Sequence, residues 1–198
     1  MTLILASQSV SRRAVLAAAG IPHEAVSPGV DEEAAKASLK SQGIEARGLA
    51  DALAELKALK LSGRRPGDLV LGCDQLLVFE DGTMLDKPAS RDDAREQLLR
   101  LRGTTHRLIS AMVICEGGMP VWRHIDVARL TMRTFSDAFL DSYLEAEWPA
   151  IGGCVGCYRL EGLGVQLFAK IEGSHFTIFG LPLLPLLDYL RIRGIVAS

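Results

Sequence analysis

The segment from Asp68 to Phe79, DLVLGCDQLLVF, constrains the fold more than any other stretch. It is the most strand-like run in the chain, with the turn Arg64-Arg65-Pro66-Gly67 before it and the hairpin signal Asp81-Gly82 after it. One carboxylate, Asp74, sits inside this apolar run. An isolated buried carboxylate is costly, so it should be paired, bound to metal, or turned toward a cleft. The plainer alternative is a strand-end cap. Whatever fold forms must bury this strand and still answer for Asp74.

The rest of the chain supplies both strands and helices. Thr2 to Ala6 reads as a short buried strand, Ser7-Gln8-Ser9 as a polar loop, and Val10 or Ser11 to Ala19 as a helix stopped at Gly20. His23 to Ser27 reads as a strand, and Asp31-Glu32-Glu33 opens an acidic helix. Gly43 to Leu61 reads as a long Ala/Leu helix ending with Gly63. Helices are predicted over Arg91 to Arg102, Ser136 to Glu147 and Leu183 to Ile192. Strands are predicted over His106 to Cys115, Val121 to Arg133, Val165 to Ile171 and Phe176 to Phe179. Ile151 to Gly164 reads as a glycine-rich loop. The two element types mix without a strict βαβ repeat, which predicts an α/β protein with a mixed sheet flanked by helices.

Composition narrows the function classes. At 198 residues the chain can build a proper core. The net charge of −2 gives no overall basic field to draw nucleic acid or a membrane. No apolar run reaches the roughly 18 residues of a membrane span. The four cysteines are too few and too scattered for a disulfide scaffold. Cys154 and Cys157 form a single CxxC, without the second pair or the spaced histidines that a zinc site needs. Reduced thiols in the cytoplasm are the expectation.

The opening residues, SQSVSRRAVLAAAG, allow two readings. Ser11-Arg12-Arg13 before an apolar run looks like a twin-arginine export signal. Yet Leu3 to Ala6 is apolar where such a signal is polar, and Gly20-Ile21-Pro22 reads as a helix stop. The other reading is an anion site. A loop entering a helix start offers unpaired N–H groups and the positive end of the dipole. Ser7 and Ser9 add hydroxyls, and Arg12 or Arg13 adds a fork suited to phosphate. Cations there oppose the dipole, so helix stability alone does not explain them. Lys57, Lys87 and Glu161, each read alone, are ordinary solvated charges.

Together these segments resemble the Maf family. The resemblance runs in order through Ala6-Ser7-Gln8-Ser9-Val10-Ser11-Arg12-Arg13, Asp31-Glu32, Leu53-Ala54-Glu55-Leu56-Lys57-Ala58 and Gly72-Cys73-Asp74. It continues through Lys87-Pro88, Leu101-Arg102-Gly103-Thr104-Thr105-His106 and Val155-Gly156-Cys157-Tyr158-Arg159-Leu160-Glu161-Gly162. It closes with Gly173-Ser174 and Gly180-Leu181-Pro182-Leu183. Val10 and Val155 stand where the family has Pro and Ala.

The resemblance implies one domain over residues 1–198, with a Maf/ITPase-like fold of two lobes around a deep cleft. It implies a nucleoside triphosphate pyrophosphatase of the cytoplasm that uses Mg²⁺ or Mn²⁺ and binds neither nucleic acid nor membrane, and it leaves room for a homodimer. Asp74 falls on the family's water-activating acid. Glu32, with Asp31 as second candidate, would help Asp74 hold the metal. Arg12, Arg13, Lys57 and Lys87 would clamp phosphates, with Ser7 and Ser9 binding through the helix-start loop. Because the family also resembles inhibitors of septum formation, a non-catalytic nucleotide-binding regulator of cell division is the alternative.

Three positions match the family's specificity determinants: Ser11, Gln75 and Glu161. The subgroup acting on dTTP and UTP has Arg, Thr and Gln there. The subgroup similar to 7-methyl-GTP pyrophosphatase has Trp, Gln and Glu. Gln75 and Glu161 follow the second pattern, which implies a purine or modified nucleotide. Ser11 follows neither, and it cannot stack on a cationic methylated base as Trp would.

Overall fold

The computed structural model describes residues 1–197. The strands are β1 (Leu3–Ala6), β2 (His23–Ala25), β3 (Leu69–Phe79), β4 (Met84–Leu85), β5 (Thr105–Glu116), β6 (Met119–Met132) and β7 (Phe168–Glu172). The helices are α1 (Val10–Ala18), α2 (Glu32–Ser41), α3 (Ala46–Ser62), α4 (Arg91–Leu101), α5 (Asp137–Glu147), α6 (His175–Ile178) and α7 (Leu183–Ile192). The strands form one mixed sheet in the order β2-β1-β3-β5-β6-β7, with β4 also paired to β3. β1 runs parallel to β2 and β3, while β3–β4 and β6–β7 are antiparallel. The expected α/β class with helices around a mixed sheet is what the chain adopts.

The chain divides into two compact units, each assembled from separate stretches of sequence. The first holds Met1–Gln75, Ile109–Asp126 and the residues from Ser174 onward; the second holds Leu76–Leu108 and Val127–Gly173. In the first unit the strands alternate faces, as side chains on a pleated strand must. Leu3 and Leu5 of β1 and Leu69, Leu71 and Cys73 of β3 enter one core with Leu16 of α1 and Leu183, Leu186 and Leu190 of α7. Val70, Gly72 and Asp74 belong to the other face of β3, against which α3 packs. A Cβ on Gly72 would lie 2.0 Å from the Ala54 carbonyl oxygen and 2.8 Å from the Ala58 nitrogen. Only glycine lets the α3 backbone come this close, and Lys57 lies on the same buried face of that helix.

In the second unit, α4 and α5 pack together and are laced on their outer faces by Arg91–Glu145 at 2.8 Å and Arg95–Asp141 at 2.9 Å. Leu98 and Leu101 of α4 and Leu140 and Leu144 of α5 are buried.

Two expected strands are corrected. Phe176 to Phe179 is the short helix α6, because the Ser174 hydroxyl accepts the Phe176 N–H and Gly180 ends the turn with φ of 77°. A four-residue apolar run fits a buried helix turn as well as a strand, and the cap decides between them. Of Val165 to Ile171, residues 163–167 form a 3₁₀ turn and β7 starts only at Phe168. The long helix begins at Ala46 instead of Gly43. The other elements agree with expectation to within one or two residues, apart from the β5–β6 connection. There the strands run to Glu116 and from Met119, leaving only Gly117-Gly118 as the turn.

Candidate active site

The carboxylate that stood out in the sequence is 6% exposed. Its Oδ1 accepts from Lys57 Nζ at 2.7 Å. Lys57 is itself buried, and its Nζ makes a second ion pair with Glu32 Oε2 at 2.9 Å. Glu32 reaches in from the first turn of α2, leaving its side chain half exposed. Asp74 Oδ2 is buried without a hydrogen-bond partner. Burial pushes the Asp74 carboxyl above the ordinary carboxylate range; Lys57 and Arg12 oppose this, and Glu32 adds to it. The group is thus a stronger base than a surface carboxylate, held next to two cations that favour its ionised form.

Arg12 is bound into the fold from the first turn of α1. Its Nε donates to the Gly180 carbonyl at 2.9 Å, and its Nη1 to the Cys73 carbonyl at 3.1 Å and Ser7 Oγ at 3.2 Å. This tether follows from register. β1 and β3 are parallel with Ala6 opposite Gly72, so the loop after β1 emerges beside Cys73 and Asp74. Ligands of open α/β sheets gather at such C-terminal strand ends. Ser7 is buried, and its Oγ also accepts the Ser9 N–H at 3.2 Å. Ser9 caps α1, its Oγ accepting the Arg12 N–H at 3.4 Å. Arg13 is exposed on the next position of the helix.

Asp31 caps α2 by accepting the Ala34 N–H at 3.0 Å, so one of its oxygens is already committed. The first-unit residues Asp74, Lys57, Glu32, Arg12 and Ser7 therefore form one connected cluster, while Asp31 and Arg13 stand outside it. Among the described residues, no group of three or more His, Cys, Asp or Glu side chains could hold a metal ion. The four cysteines are free thiols.

Gln75, next to Asp74, is held tightly. Its Nε2 donates to Ser110 Oγ at 2.9 Å and to the carbonyls of Thr177 at 2.9 Å and Ile178 at 3.0 Å. Its amide donors are thus spent on the protein, leaving Oε1 as the group it can offer a ligand. Ser11 is half-buried on α1.

Lys87 and Glu161 belong to the second unit, and both are exposed. They share a neighbourhood around Cys154. Burial pushes that thiol up, Glu161 adds to the push, and Arg159 and Lys87 oppose it. Sequence reasoning missed Glu147, a last-turn residue of α5 only 6% exposed. Its Oε2 accepts from Arg159 Nη2 at 2.7 Å and Nε at 3.2 Å, and its Oε1 accepts the Leu163 N–H at 3.1 Å. No local signal marks it, because its partners follow 12 and 16 residues later.

A mixed α/β sheet with a cation-bound carboxylate just past the end of the parallel β1–β3 pairing, beside a serine- and arginine-bearing helix start, defines a protein equipped to handle phosphate. Comparison makes the assignment specific. Residues 2–192 match the family described as Maf-like protein. The chain is 56% identical over 190 residues to a nucleoside triphosphate pyrophosphatase of Caulobacter vibrioides, covering 96% of this chain and 94% of that one. It is 51% identical over 196 residues to the like-named protein of Rhodospirillum rubrum, covering 99% and 96%. Against that of Sphingopyxis alaskensis it is 49% identical over 195 residues, covering 98% of each. The chain belongs to the Maf family.

Proposed function

We propose that this chain hydrolyses a nucleoside triphosphate between its α and β phosphates, releasing the monophosphate and pyrophosphate. The observation that carries this reading is Asp74, buried beside Lys57 with one oxygen unpartnered. A water oxygen attacks the α-phosphorus, Asp74 Oδ2 takes the water proton, and the bond from α-phosphorus to the bridging oxygen breaks. Lys57 and Arg12 balance charge that builds on the phosphate oxygens, and the N–H groups at the start of α1 face the same task with Ser7 and Ser9. Arg13 and, on the family pattern alone, Lys87 are assigned to the phosphates.

The donor set also fits a divalent cation. Two carboxylates, one with an orphaned buried oxygen, are hard ligands of the kind that Mg²⁺ or Mn²⁺ accepts with water and substrate oxygens filling the remainder. Glu32 and Asp74 would hold it, Asp31 being the less suited. Bound there, it would supply charge neutralisation on the triphosphate.

The reading favours a purine or modified base such as that of 7-methyl-GTP. Gln75 has only its acceptor oxygen to give, and Glu161 is a carboxylate, so both suit a donor edge like that of guanine. Ser11 has no ring to stack on such a base. Among the described residues no helix is long and apolar enough to cross a membrane. Free thiols fit the reducing cytoplasm, where we place the reaction.

The test is pyrophosphate release from a panel of normal and modified nucleotides with Mg²⁺ or Mn²⁺. Turnover of at least one, abolished in Asp74→Asn, is the expected result. Nucleotide binding without turnover across the panel, 7-methyl-GTP included, overturns it in favour of a regulatory binding protein.

A further inference from the structure

The loop that carries Glu161 is anchored on both sides by buried groups. Before Glu161, the Tyr143 hydroxyl donates to the Cys157 carbonyl at 3.1 Å, and the Tyr158 hydroxyl bonds His106 Nε2 at 2.7 Å. Cys157 Sγ also donates to Gln97 Oε1 at 3.4 Å, with its backbone at φ of 59°. Glu147 then brackets Glu161, binding Arg159 two residues before it and the Leu163 N–H two residues after it. Glu161 is the exposed residue between these anchors.

The Glu147 contact is made by design of the chain on both sides. A Cβ on Gly162 would lie 2.8 Å from Glu147 Oε1, so glycine is what lets the loop backbone close onto the carboxylate. Both oxygens of Glu147 are occupied, Oε2 by charge-assisted bonds from Arg159 Nε and Nη2 and Oε1 by the Leu163 N–H. A fully satisfied buried carboxylate ties α5 to the Arg159–Leu163 stretch of the loop, beyond the Tyr143, Tyr158 and Cys157 anchors that hold its earlier part. Burial alone would lift its pKa, but Arg159 and the Leu163 N–H outweigh burial and hold it below the usual range.

We propose that Glu147 is a positioning residue for substrate selection: by clamping Arg159 and the Leu163 N–H, it fixes where the Arg159–Leu163 loop presents Glu161 to the base of the nucleotide. This rests on the pyrophosphatase reading. Glu147 is buried with both oxygens spent on Arg159 and Leu163, so it acts through the loop: its loss alters which nucleotide is taken and how tightly, and leaves the chemical step in place. A displacement of about 1 Å in a positioning group is enough to change recognition by ~10-fold or more.

The experiment is steady-state pyrophosphate release by the full chain and by Glu147→Ala, Glu147→Gln and Arg159→Ala, with GTP, 7-methyl-GTP, UTP and dTTP. For the best substrate, Glu147→Ala is expected to raise KM by ~10-fold while kcat changes by less than ~3-fold. The ratio of kcat/KM between purine and pyrimidine nucleotides moves toward one. Arg159→Ala shifts both in the same direction, and the double variant adds little, as expected for one contact. Glu147→Gln keeps an acceptor for the Leu163 N–H and restores most of the discrimination. If Glu147→Ala fails to fold, Arg159→Ala and Glu147→Gln carry the test alone. Unchanged KM and base ratio in folded variants, or an equal loss of kcat on every nucleotide, overturns the proposal. A wild-type chain that releases no pyrophosphate from any nucleotide instead overturns the activity on which it rests.

Discussion

Each unit buries one carboxylate to the same degree, Asp74 in the first and Glu147 in the second, both 6% exposed. Their environments are opposite. Glu147 has every oxygen engaged and its pKa is held low. Asp74 has Lys57 on one oxygen and nothing on the other, and its pKa is pushed up. Surface exposure is therefore not what separates them: deeper desolvation inside the fold raises Asp74, while a complete partner set lowers Glu147. A satisfied buried acceptor is a clamp, because its bonds are already made. An orphaned one costs roughly 1–3 kcal/mol and is retained where a ligand will complete it.

The largest effect that follows is in the rate. Asp74→Asn keeps an oxygen for Lys57 but cannot accept the water proton, so kcat should fall by about 10³-fold, near 4 kcal/mol of barrier. Thermal stability should stay within about 3 °C of wild type, because the variant removes a buried charge and leaves Lys57 paired with Glu32. Pyrophosphate release and a melting curve check both. An active Asp74→Asn, or one that unfolds, would make Asp74 a clamp like Glu147 and end the contrast.

Next is the packing that creates the Asp74 site. Gly72→Ala drives a methyl into the α3 backbone rather than into a flexible side chain. We expect a loss of about 3 kcal/mol in denaturant unfolding. Activity should drop with it, since α3 must move and carries Lys57 away from Asp74. A stable Gly72→Ala with full activity would mean the close approach is not what sets the pair.

This dependence explains what could be read in advance and what could not. Asp74 stood out because a charge in an apolar run violates a local pattern. The opening strand, loop and helix were legible for the same reason: cap, stop and periodicity lie within a few residues. The family resemblance puts Lys57 among the phosphate clamps and does not pair it with Asp74, because that contact depends on a glycine letting two distant segments touch. Phe176 to Phe179 reads as a strand because a four-residue apolar run fits either element; the Ser174 cap is local but carries little weight beside that run, and the Thr177 carbonyl contacts from Gln75 and Ser110 are tertiary. Glu147 was silent. A glutamate in the last turn of a helix looks solvated until Arg159 and Leu163 fold back onto it.

The second unit holds a further buried group that sharpens the comparison through pH. His106 is fully buried with Nδ1 unpartnered, and burial lowers its pKa from 6.5 to about 4. The folded value lies below the unfolded one, so on acidification the unfolded chain takes up the proton first. Stability should be full above about pH 6.5 and should drain as the pH falls toward 4, by roughly 2–3 kcal/mol. Glu147's pKa is lowered too, against burial and by Arg159 and the Leu163 N–H, so it loses stability in the same direction, and later. Its lowered value keeps its contribution until the pH falls through that value. His106→Gln, which can still bond Tyr158, should flatten the first part of the acid slope in urea unfolding and leave the second. A variant with the wild-type slope would assign the acid loss elsewhere.

The smallest effect falls on Ser9, where cap and ligand readings share one hydroxyl. As a helix cap, Ser9 contributes about 1 kcal/mol, and its 3.4 Å bond to the Arg12 N–H puts it toward the weak end. Ser9→Ala should lower stability by that amount on either reading, so it does not discriminate. Ser9→Asp does. Aspartate caps as well as serine and suits the positive end of the α1 dipole, so stability should hold or rise by about 0.5 kcal/mol. Yet its charge would repel a phosphate at the same loop, and KM for the nucleotide should rise about tenfold with kcat little changed. A stabilised Ser9→Asp with normal KM would make Ser9 a satisfied local acceptor, on the Glu147 side of the comparison. A stabilised variant with raised KM would put it with Asp74, among the groups kept for the ligand.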